Sequence, residues 1–236
     1  MKKIEKTAGD FAKKSRSQKN PEALILEKPD IHTGDELESL ANTLVSMSEN
    51  MKEYVEDLLA SAIEMEDMRQ EMTKMSDIAL KDALTGTKNK AAYDKAKNRL
   101  DWDILNQIAS FGILMIDLNY LKRINDTYGH EKGDSYIKNM CQMVCDIFTH
   151  SPVYRIGGDE FVVIMHGSDY ARREELMADL TKLVEENQKK GEIVIASGIS
   201  EYIATGEKRD ARIETVFERA DSAMYVEKKR LKGIRE

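Results

Sequence analysis

The chain has 236 residues, 41% of them hydrophobic and 33% charged, which suits one ordinary domain plus an extension. Its net charge is −7, with 43 acids against 36 Lys and Arg, which excludes wholesale nucleic-acid binding through a basic surface. Every apolar run falls short of the roughly 18 residues that a membrane helix needs, and no signal peptide is visible, so a soluble, cytoplasmic chain without membrane contact of its own is expected.

Residues 1–20 carry seven Lys or Arg against two acids, and Pro21, Pro29 and Gly34 follow. This predicts a short helix and then a connector, with Asp30 and Asp35 near the next helix start. Over residues 35–80 the balance reverses to three basic side chains against twelve acidic ones. Leu37, Leu40, Leu44, Met47, Met51, Tyr54, Leu58, Ser61, Met65, Met68, Met72, Met75 and Ala79 recur there in steps of three and four. That 3.5-residue repeat is the pattern of a left-handed coiled coil. At 1.5 Å per residue the helix runs to roughly 65 Å, too long to fold back on one small domain. An amphipathic helix lying on the globular part is one reading; a homodimer through the coiled coil is the better one. The methionines Met65 to Met75 are flexible fillers, so the seam should hold its register loosely, as suits a helix that transmits a rotation or slip.

The run Ile4 to Phe11, the connector, and then Gly34 to Leu40 are together similar to a HAMP module caught partway through its first helix. HAMP modules relay signals as parallel dimers just inside a membrane. The resemblance therefore implies a native protein that continues upstream to a membrane anchor, with this chain as the cytoplasmic part of an inner-membrane receptor. The basic first 20 residues fit such a juxtamembrane position.

Lys81 to Lys90 begin as a turn at Gly86 and then enter a helix. Phe111 to Asn119 form an apolar run ending at Asp117, which reads as a buried central strand. A carboxylate at the end of such a strand is costly unless a cation or metal pairs with it. Tyr120 to Asp134 supply amide, carboxylate, imidazole and lysine groups within fifteen residues, and Gly133-Asp134 should start a helix running to about Phe148. The two cysteines, Cys141 and Cys145, lie on that helix and read as reduced core thiols rather than a metal pair.

Tyr154-Arg155-Ile156-Gly157-Gly158-Asp159-Glu160-Phe161 then read as a hairpin whose glycines open space beside two acids. Adjacent side chains of a strand point to opposite faces, so Asp159 and Glu160 need not share one job. A helix over 169–190, a strand over Ile193 to Ile199 and a helix from Arg212 to Arg230 follow. The last helix ends in Lys228-Lys229-Arg230-Leu231-Lys232, a match to the helix dipole or a phosphate contact. The expected fold is an α/β (α+β) sandwich with helices on one face of a central sheet. It can gather Asp117, Asp159 and Glu160, hard oxygen ligands suited to Mg²⁺ or Mn²⁺. Two such ions can activate an attacking hydroxyl and stabilise a leaving oxygen, which makes nucleotidyl transfer a reasonable reading of the residues alone.

Three runs also resemble one family. Gly157-Gly158-Asp159-Glu160-Phe161, the Asp82-Ala-Leu-Thr-Gly86 lead-in, and Asp117 through Asn125-Asp126 and Gly129-His130 to Gly133-Asp134 are similar to the GGDEF-domain diguanylate cyclases, over residues 82–232. The resemblance implies a palm-like nucleotidyl-cyclase domain at 81–236, after a HAMP-like segment at 1–34 and a signalling coiled coil at 35–80. It implies that two GTP molecules are joined into cyclic di-GMP with loss of two pyrophosphates, one GTP on each half of a homodimer. Asp117, the Leu118 carbonyl and Asp159 resemble the metal ligands; Glu160 resembles a further ligand or the proton acceptor. Asn125 and Asp134 resemble the guanine readers and His130 a nearby contact. Tyr120, Leu121, Lys122 and Lys228 resemble the triphosphate cradle, with Lys232 where an arginine is usual.

The departures are specific. Asn119 replaces a second Asp, Leu121 a Phe and Thr87 a Leu, and Phe148 and Ser151 stand where the product-inhibition motif has Arg and Asp. Feedback inhibition through that segment is therefore not expected. The rival reading is a degenerate domain that binds GTP or cyclic di-GMP as a sensor without turnover; the intact Asp159-Glu160 pair speaks against it.

Overall fold

The structure, a computed structural model, describes residues 36–233, so the HAMP-like segment at 1–34 lies outside the described residues. Two compact units meet in the chain between Ser76 and Asp77. The first is built on α1 (Glu36–Ala79), a single helix of 44 residues. Its predicted seam is exposed: Met47, Met51, Tyr54, Leu58, Met65, Met68, Met72 and Met75 keep 47–75% of their surface. Among the described residues no helix is long and apolar enough to cross a membrane.

The second unit takes in the last residues of α1 and continues into a turn. Asp82 accepts hydrogen bonds from the amide and hydroxyl of Thr85 (2.9 and 2.8 Å), and Gly86 takes φ +73°, which favours glycine. Thr87 donates its hydroxyl to the Val153 carbonyl at 2.6 Å, so this departure from the family pattern finds a partner. Two residues of strand follow, β1 (Lys88–Asn89), and Asn89 caps α2 (Lys90–Leu105) by accepting from the Ala92 amide. Next come β2 (Gly112–Leu118), α3 (Leu121–Tyr128), α4 (His130–Ile147), β3 (Val153–Arg155) and β4 (Glu160–Met165). The chain continues through the short α5 (Gly167–Ala171), α6 (Arg173–Lys190), β5 (Ile195–Glu201) and α7 (Ile213–Leu231). The sheet order is β1-β3-β4-β2-β5, antiparallel except for the β1–β3 pair.

Helices cover both faces of this sheet, not one as expected. Leu114, Ile116, Leu118, Phe161, Val163 and Met165 pack against α4 and α6 through Met140, Val144 and Leu180, with Phe148 just past the end of α4. Ile113, Met115, Val162 and Ile164 pack against α2 and α7 through Tyr93, Ile104, Val216, Ala220 and Met224. The physical reason is visible in β2, where successive residues face opposite ways and every one is buried. The predicted helix after Tyr120 also starts differently. Gly129, at φ +84°, separates α3 from α4, so α4 begins at His130 and Gly133 and Asp134 fall in its first turn.

α7 is seated by close backbone contact with β5. A Cβ on Gly198 would lie 2.1 Å from the Met224 nitrogen and 2.3 Å from the Ala220 carbonyl oxygen. Arg219 of α7 also donates to buried Asp210 (2.6 and 2.9 Å), to Ser200 and to the Glu201 carbonyl. This fixes where the last turn of α7, with its lysines, meets the end of β2.

Candidate active site

β2 delivers Asp117 and Leu118 to the edge of the sheet. Asp117 lies opposite Glu160 in the β2–β4 ladder, so both side chains stand on the α7 face, and the Leu118 amide donates to the Asp159 carbonyl at 3.1 Å. Asp117 is only 2% exposed. Its Oδ2 accepts from Lys228 Nζ at 2.6 Å, while its Oδ1 is buried without a hydrogen-bond partner among the described residues. Burial raises the Asp117 carboxyl above its usual range against the pull of Lys228, and the Asp159 charge adds to the rise. Glu160 is raised too, by burial first and then by Asp159, Asp117 and Asp221.

The hairpin turn holds four residues, Ile156 to Asp159, between β3 and β4. Neither glycine adopts the left-handed conformation; what they supply is room. A Cβ on Gly157 would lie 2.6 Å from Glu160 Oε2, whereas nothing stands within 4 Å of one on Gly158. Arg155 braces the turn from behind, donating to the Gly158 carbonyl (2.7 and 3.2 Å) and to Asp82 (3.0 and 3.3 Å).

Beyond β2, Tyr120 adopts φ +66° and opens α3 without a side-chain cap, which leaves the first amides of that helix free to meet an anion. A cavity of about 410 Å³ lies there, lined by Leu118, Tyr120, Leu121, Lys122, Arg123, Asp126, Asp159, Lys228 and Lys232. It thus gathers the predicted triphosphate residues with two predicted metal ligands, Leu118 and Asp159. Asn125, His130 and Asp134 are not among its lining residues; they sit at the α3–α4 junction. There the Asn125 Oδ1 is buried, unpaired among the described residues, and lies where a Cβ on Gly133 would reach within 1.8 Å. Gly133 is thus the space in which the Asn125 amide turns.

The three expected carboxylates are neighbours, but among the described residues no three His, Cys, Asp or Glu side chains stand close enough to hold a metal ion. Like charges do not converge without a cation between them, and Lys228 supplies the cation here. The donor set still fits Mg²⁺: an unpaired buried carboxylate oxygen on Asp117, with Asp159 and the Leu118 carbonyl beside it. Asn119 is 2% exposed and its side-chain amide is unpaired among the described residues; it does not line the acid cavity. Phe148 is core and Ser151 is buried, so neither presents a charge to a ligand. Arg123, Asp126 and Arg155 carry no role in the sequence reading, and the Lys228–Asp117 pair is not foreseen there. Arg155 was within reach, as an arginine two residues before a glycine turn.

The family described as "Diguanylate cyclase, GGDEF domain" matches residues 79–233. An uncharacterized membrane protein of Staphylococcus aureus strain USA300 is 27% identical over 154 residues, covering 62% of this chain and 42% of the relative. The chain therefore spans less than half the length of the curated relatives it matches. Among solved structures, the coiled coil and GGDEF domain of DgcB from Caulobacter crescentus, in complex with c-di-GMP, superposes with a TM-score of 0.57 at 24% identity, over 73% of this chain and 93% of that one. The diguanylate cyclase SiaD from Pseudomonas aeruginosa, solved with its activator SiaC, gives 0.58 at 19% identity, over 84% and 78%. Both likenesses establish the fold.

Proposed function

The chain belongs to the GGDEF diguanylate cyclase family, and we propose that it is an active member, a metal-dependent cyclase that joins two GTP molecules into cyclic di-GMP as a homodimer. One observation carries this reading: a buried acid, Asp117, in register with Glu160 and bonded to Lys228, which lines a cavity together with Asp159, Lys122 and Lys232. Each 3′-hydroxyl attacks the α-phosphorus of the other nucleotide. The new P–O bond forms as the bond to the β-phosphate bridge breaks, and pyrophosphate leaves. Lys122, Lys232 and the free amides of α3 bind the leaving phosphates. Glu160, made a better base by burial and by its acidic neighbours, takes the hydroxyl proton. Asn125 and Asp134 read the guanine edge, where adenine would leave an acid facing an acceptor, and His130 contacts the same nucleotide. Asp117, Asp159 and the Leu118 carbonyl would hold Mg²⁺ or Mn²⁺, which supplies charge neutralisation at the phosphates.

The exposed seam of α1 supports dimerisation, since a tether brings the second half-site to roughly millimolar effective concentration. Because the curated relatives are called membrane proteins, we place this chain on the cytoplasmic side of a longer, membrane-anchored protein.

The test is incubation with GTP and Mg²⁺, resolving nucleotides by chromatography. Wild type is expected to yield cyclic di-GMP, and Glu160→Gln to lose about 10²–10⁴-fold. Bound GTP without product from wild type at high concentration would replace this reading with the sensor.

A further inference from the structure

Lys228 is not a free surface lysine. Its side chain is 27% exposed, and it springs from the last turn of a helix locked to β5 at Gly198 and Arg219. From there its ammonium meets two anionic demands. On one side is the Asp117 carboxylate, 4% exposed, with Asp159 and Glu160 adding charge of the same sign. On the other is the cavity that Lys228 lines together with Lys122 and Lys232.

We propose that Lys228 is a built-in counter-ion that occupies Asp117 until metal and triphosphate arrive, and that the two exchange with it together. This rests on the cyclase reading of the cavity. A divalent ion entering alone must take Asp117 from the ammonium, leaving Lys228 half-buried without its bonded carboxylate. A triphosphate entering alone must face three carboxylates while Lys228 is still engaged by Asp117. When both enter, the ion takes Asp117 and Lys228 turns to the phosphates, so neither charge is stranded. Each ligand therefore raises the affinity of the other by the same factor, as reciprocity of coupling requires. The site stays closed to free metal and is armed only by the metal–nucleotide complex. Lys228 thus serves first as the counter-ion of Asp117 and then as a phosphate contact.

If Lys228 were only a phosphate contact, removing it would weaken nucleotide binding and leave metal binding alone. Exchange requires the opposite sign for metal. The probe is Mn²⁺, its free concentration read by electron paramagnetic resonance, titrated into the whole chain without nucleotide. The titration is repeated with a GTP analogue carrying a methylene bridge between its α- and β-phosphates. Expected is that Lys228→Met binds Mn²⁺ alone at least about tenfold more tightly than wild type, and that the mutual enhancement between Mn²⁺ and the analogue shrinks by a similar factor. Lys228→Gln, measured alongside in case the methionine variant folds poorly, should tighten Mn²⁺ in the same way. Lys228→Arg, which keeps the cation, should stay close to wild type, and Asp117→Asn should abolish the site. Equal or weaker Mn²⁺ binding by folded Lys228→Met or Lys228→Gln would overturn the proposal, as would Mn²⁺ binding that survives Asp117→Asn. The titration needs no turnover. A wild type that makes no cyclic di-GMP would therefore defeat the cyclase reading while leaving this result legible.

Discussion

β2 and α1 are the two long apolar features of this chain, and they meet opposite fates. Every residue of β2 is buried, between α4 and α6 on one face and α2 and α7 on the other. The seam of α1 is equally regular, yet its methionines keep 56–75% of their surface from Met65 to Met75. The strand finds all its partners within its own unit and so fixes where Asp117 stands. The helix keeps its seam exposed, and in the function proposed above a second copy covers it.

The difference can be broken most forcefully in the core. Leu114→Ala should cost about 2–5 kcal/mol in denaturant unfolding, because it opens a cavity under the central strand. Met68→Ala in the seam should move the same transition in dilute protein by less than about 0.5 kcal/mol. An effect smaller than that of Leu114→Ala is expected where α7 meets β5. Gly198→Ala forces a methyl group onto helix backbone and should cost about 1–3 kcal/mol in the same unfolding assay. Because it displaces the helix that carries Lys228, it should also weaken GTP binding, read by calorimetry.

A further effect, smaller than either core change, concerns acid. Burial works against ionisation of Asp82, but Thr85 and Arg155 outweigh it and hold the carboxyl below its ordinary 3.8. A depressed acid stabilises the fold above its unfolded pKa, and that contribution fades as pH falls through the folded one. Arg155→Met should flatten the loss of stability below about pH 4 and cost about 1 kcal/mol at neutral pH, checked by melting across a pH series.

How much of this was legible depended on distance along the chain. The β2 run, the glycine hairpin and the α1 repeat are local patterns, and each produced its element within a few residues. The covering of both faces was implicit in the unbroken apolar run, since a strand with one solvated face would alternate. The start of α4 was misplaced because Gly129, rather than Gly133, takes the left-handed break. Gly133 serves instead as room for Asn125. Lys228 bonds a residue 111 positions away and Arg155 one 73 away, and no spacing rule encodes such pairs. The basic end of the last helix left dipole and ligand readings level; its position over Asp117 favours the ligand reading.

The central claim is that turnover needs two catalytic units brought together through α1. Its most direct test is the rate of cyclic di-GMP formation per mole of protein, followed over a wide dilution series, for wild type and for Met68→Glu/Met72→Glu. Wild type should hold its specific activity to low concentration, and the variant should lose it on dilution while its catalytic unit melts unchanged. Identical, concentration-independent activity in both proteins would contradict the claim.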